Sequence, residues 1–545
     1  MSEGQPRLRL VHPRQHSPRA DSDVRISAID IGSNSIRQII ADVSPDGGIR
    51  VVDEMKAAPR LGAGIQQTGR LSDEASDAAI FALSRMSALA EQLGAKRKRV
   101  VATSAVREAE NGAEWLARVK DETGLRVAVL NGEDEARLAF RSAQAHFDLG
   151  TGRAVVMDIG GGSLEIALSA DGLVERLISL PFGAIRVTEK YFSKGITPGG
   201  MRKLRRAVRK RLRDELPARD WSGAQIIGSG GTFTNLGGMV LFRQGMHTAR
   251  TVHGTVVSRI DLEHIVDYLA SLSPAERQTV PGLNVGRSDI IVGGLAAVAE
   301  VLGRIEAKEM VVSSYGIREG ILLELAKVSP RSANKLQARE RSVVELARRS
   351  HFEEPHSRHV QKLALRLFDS IGERLGSDPE ERQILADAAL LHDIGYHINY
   401  DKHHKHSYHL ISHADLLGMT PTEQILIANV ARYHRGAEPR KTHSNFGPLS
   451  TTARERVVRL AAILRVADGF DRGHTGAVED IRVRWLDRAL RLIAVPSPKA
   501  SNIRLELWGA SKKSGLLSEV AGVPVEVVAP GGSAFTTVDD GSPVD

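Results

Sequence analysis

Two stretches, ISAIDIGSNS at residues 26–35 and AVVMDIGGGSLE at residues 154–165, decide the fold. Each places an apolar run before Asp, Ile, Gly and a hydroxyl residue. The apolar run predicts a buried strand, and the glycines after it let backbone amides turn toward a ligand. Amides that converge in this way bind phosphate oxygens. The two copies predict a duplicated α/β lobe with a ligand between its halves; the alternative is two ordinary β-turns in unrelated domains.

An aspartate lies at the end of each of these predicted strands. Asp30 ends the first and Asp158 ends the second. Their carboxylates are therefore placed to hold Mg²⁺ or a water molecule against a bound phosphate.

Length and composition set the broad class of the protein. The chain has 545 residues, which exceeds what one hydrophobic core usually serves and predicts three or four domains. It has no cysteine, which excludes disulfides, thiolate metal sites and cysteine nucleophiles. No apolar run reaches the roughly 18 residues of a membrane span. Because residues 1–24 are polar and lack the apolar centre of a signal peptide, we expect a disordered tail and a cytoplasmic protein.

The chain is basic, with a net charge of +8, which favours polyanionic partners. Its densest basic segment is MRKLRRAVRKRLRDEL at residues 201–216. Leu204, Val208 and Leu212 recur every fourth residue there and predict an amphipathic helix. The arginines on one face of this helix are Arg202, Arg205, Arg206, Arg209 and Arg213. That face is either a solvated surface or a track for a long anionic chain.

The distribution of strand and helix patterns divides the chain into successive units. We expect a first lobe, a second lobe, a helical domain that carries most of the histidines, and a small β-rich domain. Their predicted bounds are 25–150, 151–328, 340–477 and 478–530, with a polar linker at 329–340 and a polar tail at 531–545.

An acidic cluster in LNGEDEARLAF, residues 130–140, follows a predicted strand and begins a predicted helix. A carboxylate of Glu133, Asp134 or Glu135 is placed there to activate a water for attack on phosphorus. Acidic residues in a first helical turn also stabilise the helix dipole. The sequence pattern by itself leaves both roles open.

Two more turns carry candidate phosphate ligands. In TSAVREA, residues 103–109, Thr103 and Ser104 end a strand and Arg107 follows within one turn, which offers hydroxyls and a guanidinium to a phosphate. The alternative is a helix N-cap with a surface arginine. The glycine-rich turn GSGGT at residues 228–232 places further amides at a helix start. Its candidate ligands are Gly230, Gly231 and Thr232.

Taken in order, these motifs resemble the exopolyphosphatase and guanosine-pentaphosphate phosphohydrolase family, Ppx/GppA. The motifs are AIDIGSNS, ATSAVREA, LNGEDEARL, VVMDIGGGSLE, GSGGT, PGLNVGRSDI and YGIREGIL, between residues 26 and 322. Downstream, HSRHV, LLHDIGYHINY, HKHS, RYHRG and RVADGFDR resemble the helical domain of the long family members. The resemblance implies the two-lobe fold of acetate kinase, hexokinase and actin, and hydrolysis of a terminal phosphate in the cleft between the lobes.

The resemblance also implies roles for individual residues. Glu135 would be the general base, and Arg107 would stabilise charge that develops on the phosphoryl oxygens. Asp158 and Glu165 would hold Mg²⁺ or Mn²⁺, or the attacking water, and K⁺ is a further possible cofactor. Gly160, Gly161, Gly162 and Ser163 would cradle the phosphate, with Asp30, Ser33, Asn34 and Ser35 on the opposite wall. Asp134 stands where the family often has a second glutamate, which weakens any role that needs Glu there.

The helical domain carries an H, HD, D pattern like that of metal-dependent phosphohydrolases. Its residues are His356, His392, Asp393 and Asp468, and His404, His406 and His434 are candidates for a second metal site. Histidine and aspartate side chains from different helices can converge on one divalent ion. The alternative is a packing domain whose histidines are exposed or satisfied in the core.

We therefore expect a cytoplasmic, Mg²⁺-dependent exopolyphosphatase that acts on inorganic polyphosphate, and the resemblance implies a homodimer. One alternative is a phosphohydrolase that converts pppGpp to ppGpp. A second is a non-catalytic sensor of alarmones or polyphosphate, which would not need Glu135. A third is a sugar or acid kinase of the same fold, which would depend on ATP.

Overall fold

The computed structural model describes residues 23–531 apart from residues 46–47, 217–220, 222, 248, 250, 329–334, 400 and 415. The predicted tails at 1–24 and 531–545 therefore lie almost wholly outside the described residues. The first half of the predicted linker, residues 329–334, also lies outside the described residues. The second half is helical, because an α-helix begins at Lys335.

The first lobe is built on a five-stranded sheet. Its strands are β1 (Val24–Ile31), β2 (Ile36–Val43), β3 (Ile49–Ala57), β4 (Arg97–Ala102) and β5 (Val127–Val129). Its helices are α1 (Ile65–Thr68), α2 (Asp73–Gln92), α3 (Ser104–Glu108) and α4 (Gly112–Thr123). The strand order is β3-β2-β1-β4-β5. Strands β1 to β3 form an antiparallel meander, and β4 and β5 extend it in parallel on the other side of β1.

The second lobe repeats this arrangement. Its strands are β6 (Arg153–Ile159), β7 (Leu164–Ala170), β8 (Leu173–Leu180), β9 (Gln225–Ser229), β10 (Val256–Ser258) and β11 (Glu309–Val312), in the order β10-β11-β9-β6-β7-β8. Again an antiparallel meander is extended by two parallel strands, here β9 and β11, and β10 adds an antiparallel edge. The repeated strand order confirms the predicted two-lobe, actin-like fold.

Among the described residues, eight α-helices belong to the segment between the first sheet and the helical domain. They are α5 (Gly132–His146), α6 (Ala184–Phe192), α7 (Pro198–Glu215), α8 (Gly231–Arg243), α9 (Arg259–Ser271), α10 (Pro274–Gln278), α11 (Ile291–Arg304) and α12 (Ile317–Leu325). Helix α11 is buried along nearly its whole length. It is the central packing element of the second lobe and contacts α6, α7 and α9.

Two helices do not stay in the lobes that the sequence boundaries predict. Helix α5, within the predicted first lobe, packs on the sheet of the second lobe, where Phe140 joins Val156 and Ile227 in one core. Helix α12, within the predicted second lobe, packs on the first sheet. The two helices also cross in close contact, because a Cβ at Gly320 would lie 2.2 Å from the carbonyl oxygen of Leu138. The pair forms the junction between the lobes.

The basic helix α7 confirms the predicted amphipathic pattern, with Leu204, Val208 and Leu212 fully buried. Its arginines, however, are not all free for a polyanion. Arg205 forms ion pairs with Glu263 and Glu300, and Arg209 also pairs with Glu300. Part of the basic face is thus neutralised by packing within the lobe. The remaining arginines of that face, Arg202, Arg206 and Arg213, are exposed.

The C-terminal part joins helices and a small sheet. Its helices are α13 (Lys335–Arg349), α14 (Glu354–Ile371), α15 (Glu381–Leu391), α16 (His403–His413), α17 (Pro421–Arg432), α18 (Thr451–Gly469), α19 (Arg504–Lys512) and α20 (Gly515–Ala521). Its strands are β12 (Val478–Leu486), β13 (Ala489–Pro496) and β14 (Val525–Val528). The predicted β-rich unit therefore contains two helices as well as the sheet.

The helical domain and the small sheet are not separate bodies. Leu363 and Val466 from the helices belong to the same buried core as Ile481, Leu492 and Leu517. At the join, a Cβ at Gly469 would lie 2.6 Å from the Cα of Ala510, so α18 and α19 meet backbone to backbone. The two predicted domains are thus joined by a shared hydrophobic core. In the described part of the chain, no helix is long and apolar enough to cross a membrane.

Candidate active site in the interlobe cleft

The two sequence repeats form equivalent hairpins. In the first, Gly32 N–H donates to the carbonyl of Ser35 over 3.2 Å; in the second, Gly160 N–H donates to that of Ser163 over 3.0 Å. Strand pairing sets Asp30 opposite Arg37 and Asp158 opposite Glu165. Each hairpin therefore directs an aspartate and a second charged residue toward the space between the lobes.

The tips of the two hairpins touch each other. A Cβ at Gly161 would lie 2.8 Å from the Cβ of Ser33, and one at Gly162 would lie 2.0 Å from the Oγ of Ser104. These two glycines therefore allow the lobes to approach closely. Gly162, Ser33 and Ser104 line a smaller cavity beside this contact, whereas sequence analysis placed all three at the phosphate.

The main cavity lies on the other side of the hairpins and contains about 770 Å³ of empty space, part of which is open to solvent. Its lining consists of charged, amide, hydroxyl and glycine residues together with two isoleucines. The predicted residues that line it are Asp30, Asn34, Ser35, Thr103, Glu135, Asp158, Gly160, Gly161, Glu165, Gly230 and Gly231. The structure thus brings most of the predicted site residues to one cavity.

Glu135 enters this cavity from the first turn of α5. The helix begins there because the side chain of Asn131 accepts a hydrogen bond from Asp134 N–H at 2.8 Å. The Glu135 carboxyl is buried and accepts a hydrogen bond from Arg107 Nη1 at 2.6 Å. Burial raises the pKa of Glu135 to about 7, and the bond from Arg107 opposes that rise. A carboxyl that titrates near neutrality is suited to accept a proton from water.

Arg107 itself has a different placement from the one implied by the family resemblance. Its Nη1 also donates to the carbonyl oxygen of Leu130 at 2.5 Å. The guanidinium is not among the groups that line the main cavity. It therefore orients Glu135 from behind.

Four more carboxyls face the cavity, those of Asp30, Asp158, Glu165 and Glu319. Burial raises the pKa of Asp30 to about 6 and that of Asp158 to about 6, although Ser229 Oγ donates to Asp158 at 2.8 Å. The pKa of Glu165 is raised well above its usual value by burial and by the charge of Glu135. The raised pKa values therefore reflect burial first, and the charges of nearby arginines offset that effect only in part at Asp30 and Asp158.

These carboxylates offer oxygen atoms of the kind that a divalent metal ion binds. Mg²⁺ prefers oxygen ligands and usually binds through one or two carboxylates together with substrate phosphates. Asp30 Oδ1 is buried and has no hydrogen-bond partner among the described residues. Gly230 has a φ of 92°. A Cβ added at this position would lie only 2.7 Å from Asp158 Oδ1, so no side chain fits there. Asp158 and Glu165, with Asp30 opposite, are the residues that would hold the ion.

Arginines supply the opposite charge, and the sequence analysis did not identify them. Arg37, Arg287 and Arg318 line the same cavity. Neither Arg37 nor Arg287 forms an ion pair with a carboxylate in the described part of the chain. Burial lowers the pKa of Arg37, and it lowers that of Arg287 to about 10. Because a buried charge without a partner is costly, these guanidiniums indicate an anion site.

The missed arginines had a detectable signal. Arg287 lies within PGLNVGRSDI and Arg318 within YGIREGIL, two motifs that carried the family resemblance, and Arg37 directly follows the first hairpin turn. Helix α12 begins beside them, capped by Glu319, whose carboxylate accepts from Gly316 N–H at 2.6 Å. Each of these arginines therefore lies within or beside a motif that the sequence already singles out.

Besides Ser33 and Ser104, two further predicted hydroxyl ligands lie outside the main cavity. Thr232 is fully buried, and a Cβ at Gly294 would lie 3.2 Å from its methyl group. Thr234, two residues later, lines the cavity instead. Ser163 is buried and hydrogen-bonded to Glu165. The first turn of α8 rotates Thr232 inward, which the sequence pattern did not reveal.

The predicted metal residues of the helical domain form a separate group. His356, His392 and Asp393 lie close enough together to share one ion. A second group consists of Asp393, His403 and His434, whose ligand atoms also lie close enough together to share an ion. Among the described residues, neither His404 nor His406 belongs to such a group. A metal-binding role for His404 and His406 therefore stays a prediction.

The chain matches two family models. Residues 39–328 match the model of the Ppx/GppA phosphatase family. Residues 338–498 match the model of domain III of the Ppx/GppA phosphatases. The first match covers both lobes and the second covers the helical domain.

Several solved structures resemble the two lobes. An exopolyphosphatase from Cytophaga hutchinsonii is 25% identical, with a TM-score of 0.51; the match covers 56% of this chain and 98% of that one. An exopolyphosphatase-like protein is 28% identical, with a TM-score of 0.52 and coverage of 56% and 99%. The Aquifex aeolicus member of the Ppx/GppA family is 29% identical, with a TM-score of 0.49 and coverage of 56% and 98%.

Proposed function

Because the chain belongs to the Ppx/GppA phosphatase family, we propose that it is an exopolyphosphatase that releases terminal orthophosphate from inorganic polyphosphate. The observation that carries this proposal is the main cavity, where the Glu135 carboxyl and three guanidiniums face one space. The likeness to a protein described as an exopolyphosphatase supports it. The catalytic site is the interlobe cleft.

The lining of the cavity favours phosphate chains as the substrate class. Guanidiniums, hydroxyls and glycine amides recognise phosphoryl oxygens. Every unit of polyphosphate presents such oxygens, whereas pppGpp presents the same group attached to a nucleoside. The net charge of +8 and the exposed arginines Arg202, Arg206 and Arg213 also favour a long polyanion.

In the proposed reaction, Glu135 accepts a proton from the attacking water. The water oxygen forms a bond to the terminal phosphorus as the bond to the bridging oxygen breaks, and the shortened chain leaves as a phosphate. Arg37, Arg287 and Arg318 stabilise the charge on the phosphoryl oxygens. Arg107 holds the Glu135 carboxyl in place through the 2.6 Å hydrogen bond.

A divalent cation, Mg²⁺ or Mn²⁺, belongs to this proposal. Asp158, Glu165 and Asp30 would hold it. When bound, the ion supplies positive charge that neutralises the substrate phosphates. Its charge would also offset the electrostatic repulsion between these neighbouring carboxylates.

The test compares orthophosphate release from long-chain polyphosphate and from pppGpp, in Mg²⁺, for the intact protein and two variants. Glu135→Gln should reduce release from polyphosphate by about 10³-fold, within the range of general-base effects. Asp134→Asn is the matched control, since Asp134 is a partly exposed neighbour that is paired with Arg137 and does not line the cavity. It should leave the rate nearly unchanged.

Two outcomes would replace the proposal. Faster turnover of pppGpp than of polyphosphate would assign the cleft to the alarmone. Tight binding of either compound without release of orthophosphate, unaffected by Glu135→Gln, would indicate a sensor.

We also propose that the chain forms a homodimer, as its resemblance to the long family members implies. Light scattering of the purified protein tests this directly. A mass near 59.1 kDa, that of one chain, would contradict it.

A further inference from the structure

A second group of chemically competent side chains lies in the helical domain, outside the cleft. Four histidines and two aspartates converge there from α14, the end of α15, α16, α17 and α18. They are His356, His392, Asp393, His403, His434 and Asp468. All are buried, with at most 8% of any residue exposed. So much imidazole and carboxylate in one buried place requires an explanation, because buried polar groups are costly unless satisfied.

The Asp393 carboxylate divides the cluster into two halves. Its Oδ2 lies 3.7 Å from His356 Nε2 and 3.4 Å from His392 Nε2. Its Oδ1 lies 3.0 Å from His403 Nε2 and 3.3 Å from His434 Nε2. Each oxygen therefore faces its own pair of imidazoles, as a bridging carboxylate does.

The orientation of three imidazoles is fixed from behind. His392 Nδ1 donates to the carbonyl of Ala389 at 2.7 Å, and His434 Nδ1 donates to that of Ala431 at 2.6 Å. His356 Nδ1 lies 2.8 Å from Asp471 Oδ2. An acceptor at Nδ1 keeps the proton there and leaves Nε2 as a lone-pair donor. This outer support is typical of histidines that bind metals.

The donor atoms that remain point into the cluster without partners. His356 Nε2 and His392 Nε2 are buried and have no hydrogen bond to any described residue. Both side chains are fully buried. Nitrogens in that position forgo the bonds that water would give them. A metal ion would satisfy them.

The spacing of the donors suits such ions. Ligand atoms about 2 Å from one ion lie about 3 to 3.5 Å from each other in tetrahedral or octahedral geometry. In the half with His403 and His434, the two Nε2 atoms are 3.4 Å apart. The other half is slightly more open, and Asp468 Oδ1 completes it at 3.8 Å from His356 Nε2 and 3.9 Å from His392 Nε2.

Asp468 links this cluster to the C-terminal sheet. Its Oδ2 pairs with Lys513, the residue that follows α19, while Oδ1 turns toward the histidines. Lys513 thus neutralises one oxygen and leaves the other as a single-oxygen ligand. The shared core of the two parts holds this lysine in place.

We propose that this cluster binds two divalent transition-metal ions that share the Asp393 carboxylate. One ion is held by His356, His392, Asp393 Oδ2 and Asp468. The other is held by His403, His434 and Asp393 Oδ1. Imidazole-rich sets select ions such as Mn²⁺, Fe²⁺, Co²⁺ or Zn²⁺ over Mg²⁺, which prefers oxygen ligands. The site is independent of the proposed exopolyphosphatase activity.

The test counts bound ions in the full-length protein. A chelator first removes bound metal, and the protein is then loaded with Co²⁺ in the presence of excess Mg²⁺. The Mg²⁺ occupies sites built from oxygen ligands, so that Co²⁺ reports on the histidine cluster. Elemental analysis and visible absorption then measure the bound Co²⁺. The intact chain should retain two Co²⁺. His403→Gln and His356→Gln should each retain one, and Asp393→Asn should retain none.

Two neighbouring histidines supply matched controls. His404→Ala and His406→Ala remove imidazoles from the same helix that do not reach the cluster, so both variants should still retain two Co²⁺. Circular dichroism identifies any variant that fails to fold; Asp468→Asn then replaces His356→Gln and should likewise lose one ion. Retention of no Co²⁺, or of only one, by the intact protein overturns the proposal. An equal loss in His404→Ala and His403→Gln overturns it as well.

Discussion

The two hairpins of the cleft share one backbone and present opposite charges. Both turn through the same glycine hydrogen bond, and in both an aspartate near the end of the first strand faces the cavity. The residue paired with that aspartate is Arg37 in the first lobe and Glu165 in the second. Duplication thus supplied the geometry, and one position across each hairpin gives the first lobe a cationic side chain, Arg37, and the second an anionic one, Glu165.

The two crossing helices strengthen this division. Helix α5 packs on the second sheet and adds Glu135 to the acidic wall. Helix α12 packs on the first sheet and adds Arg318 to the basic wall. Each lobe therefore receives its additional charged group from a helix that the linear sequence assigns to the other lobe. The cleft consequently depends on both lobes being folded and in contact.

The largest effect should come from the acidic wall. Glu135→Gln should lower kcat by about 10³-fold and leave the KM for polyphosphate nearly unchanged, since the amide keeps its size but cannot accept a proton. Steady-state orthophosphate release measures both constants. A rise in KM with kcat preserved would show that Glu135 binds substrate and does not act as a base.

The two hairpins should respond differently when their paired charges are removed. Arg37→Gln should lower kcat/KM for polyphosphate by about 10- to 100-fold, because a hydrogen bond from a charged group is worth about 1.5–3 kcal/mol. Glu165→Gln should instead raise the Mg²⁺ concentration needed for half-maximal rate. Titrations of polyphosphate and Mg²⁺ on both variants measure this. Identical responses would contradict the division of the walls.

Separation of the crossing helices should weaken both walls together. Gly320→Ala places a methyl group against the backbone of Leu138 and should destabilise the lobes by about 1–3 kcal/mol. Gly303→Ala is the control, since it is an exposed position in α11 with no contact closer than 4.0 Å. It should stabilise by about 0.5–1 kcal/mol. Urea unfolding measures both, and equal midpoints would refute the close crossing.

The smallest effect is on pH dependence. Burial raises the pKa of Glu135 to about 7, so the carboxyl is protonated below that pH and cannot accept a proton. The rate should therefore fall as pH decreases through about 7, approaching tenfold per unit. Glu135→Gln should lose this dependence. A wild-type profile that is flat across neutral pH would place the base elsewhere.

The sequence predicted the acidic wall better than the basic one. Asp30 and Asp158 follow buried strands, and Glu135 begins a helix, so local patterns located all three. The arginines follow no such rule, because Arg37, Arg287 and Arg318 come from separate segments and meet only in the folded cleft. In the helical domain the sequence identified Asp393 and His434 but not His403, which neighbours His404. The phase of α16 decides which of these imidazoles points inward.

The amino-acid sequence was enough to predict the two repeated hairpins, the resemblance to the family and the residue types that the chemistry needs. These depend on local patterns, in which strand burial, glycine turns and helix starts are set by neighbouring residues. Three features became visible only in the folded structure. Helices α5 and α12 each pack on the sheet of the other lobe, and Gly161 and Gly162 allow the lobes to touch. Three arginines that the sequence did not predict complete the lining of the cleft. Such contacts join residues far apart in the chain, and their distances depend on how the elements pack.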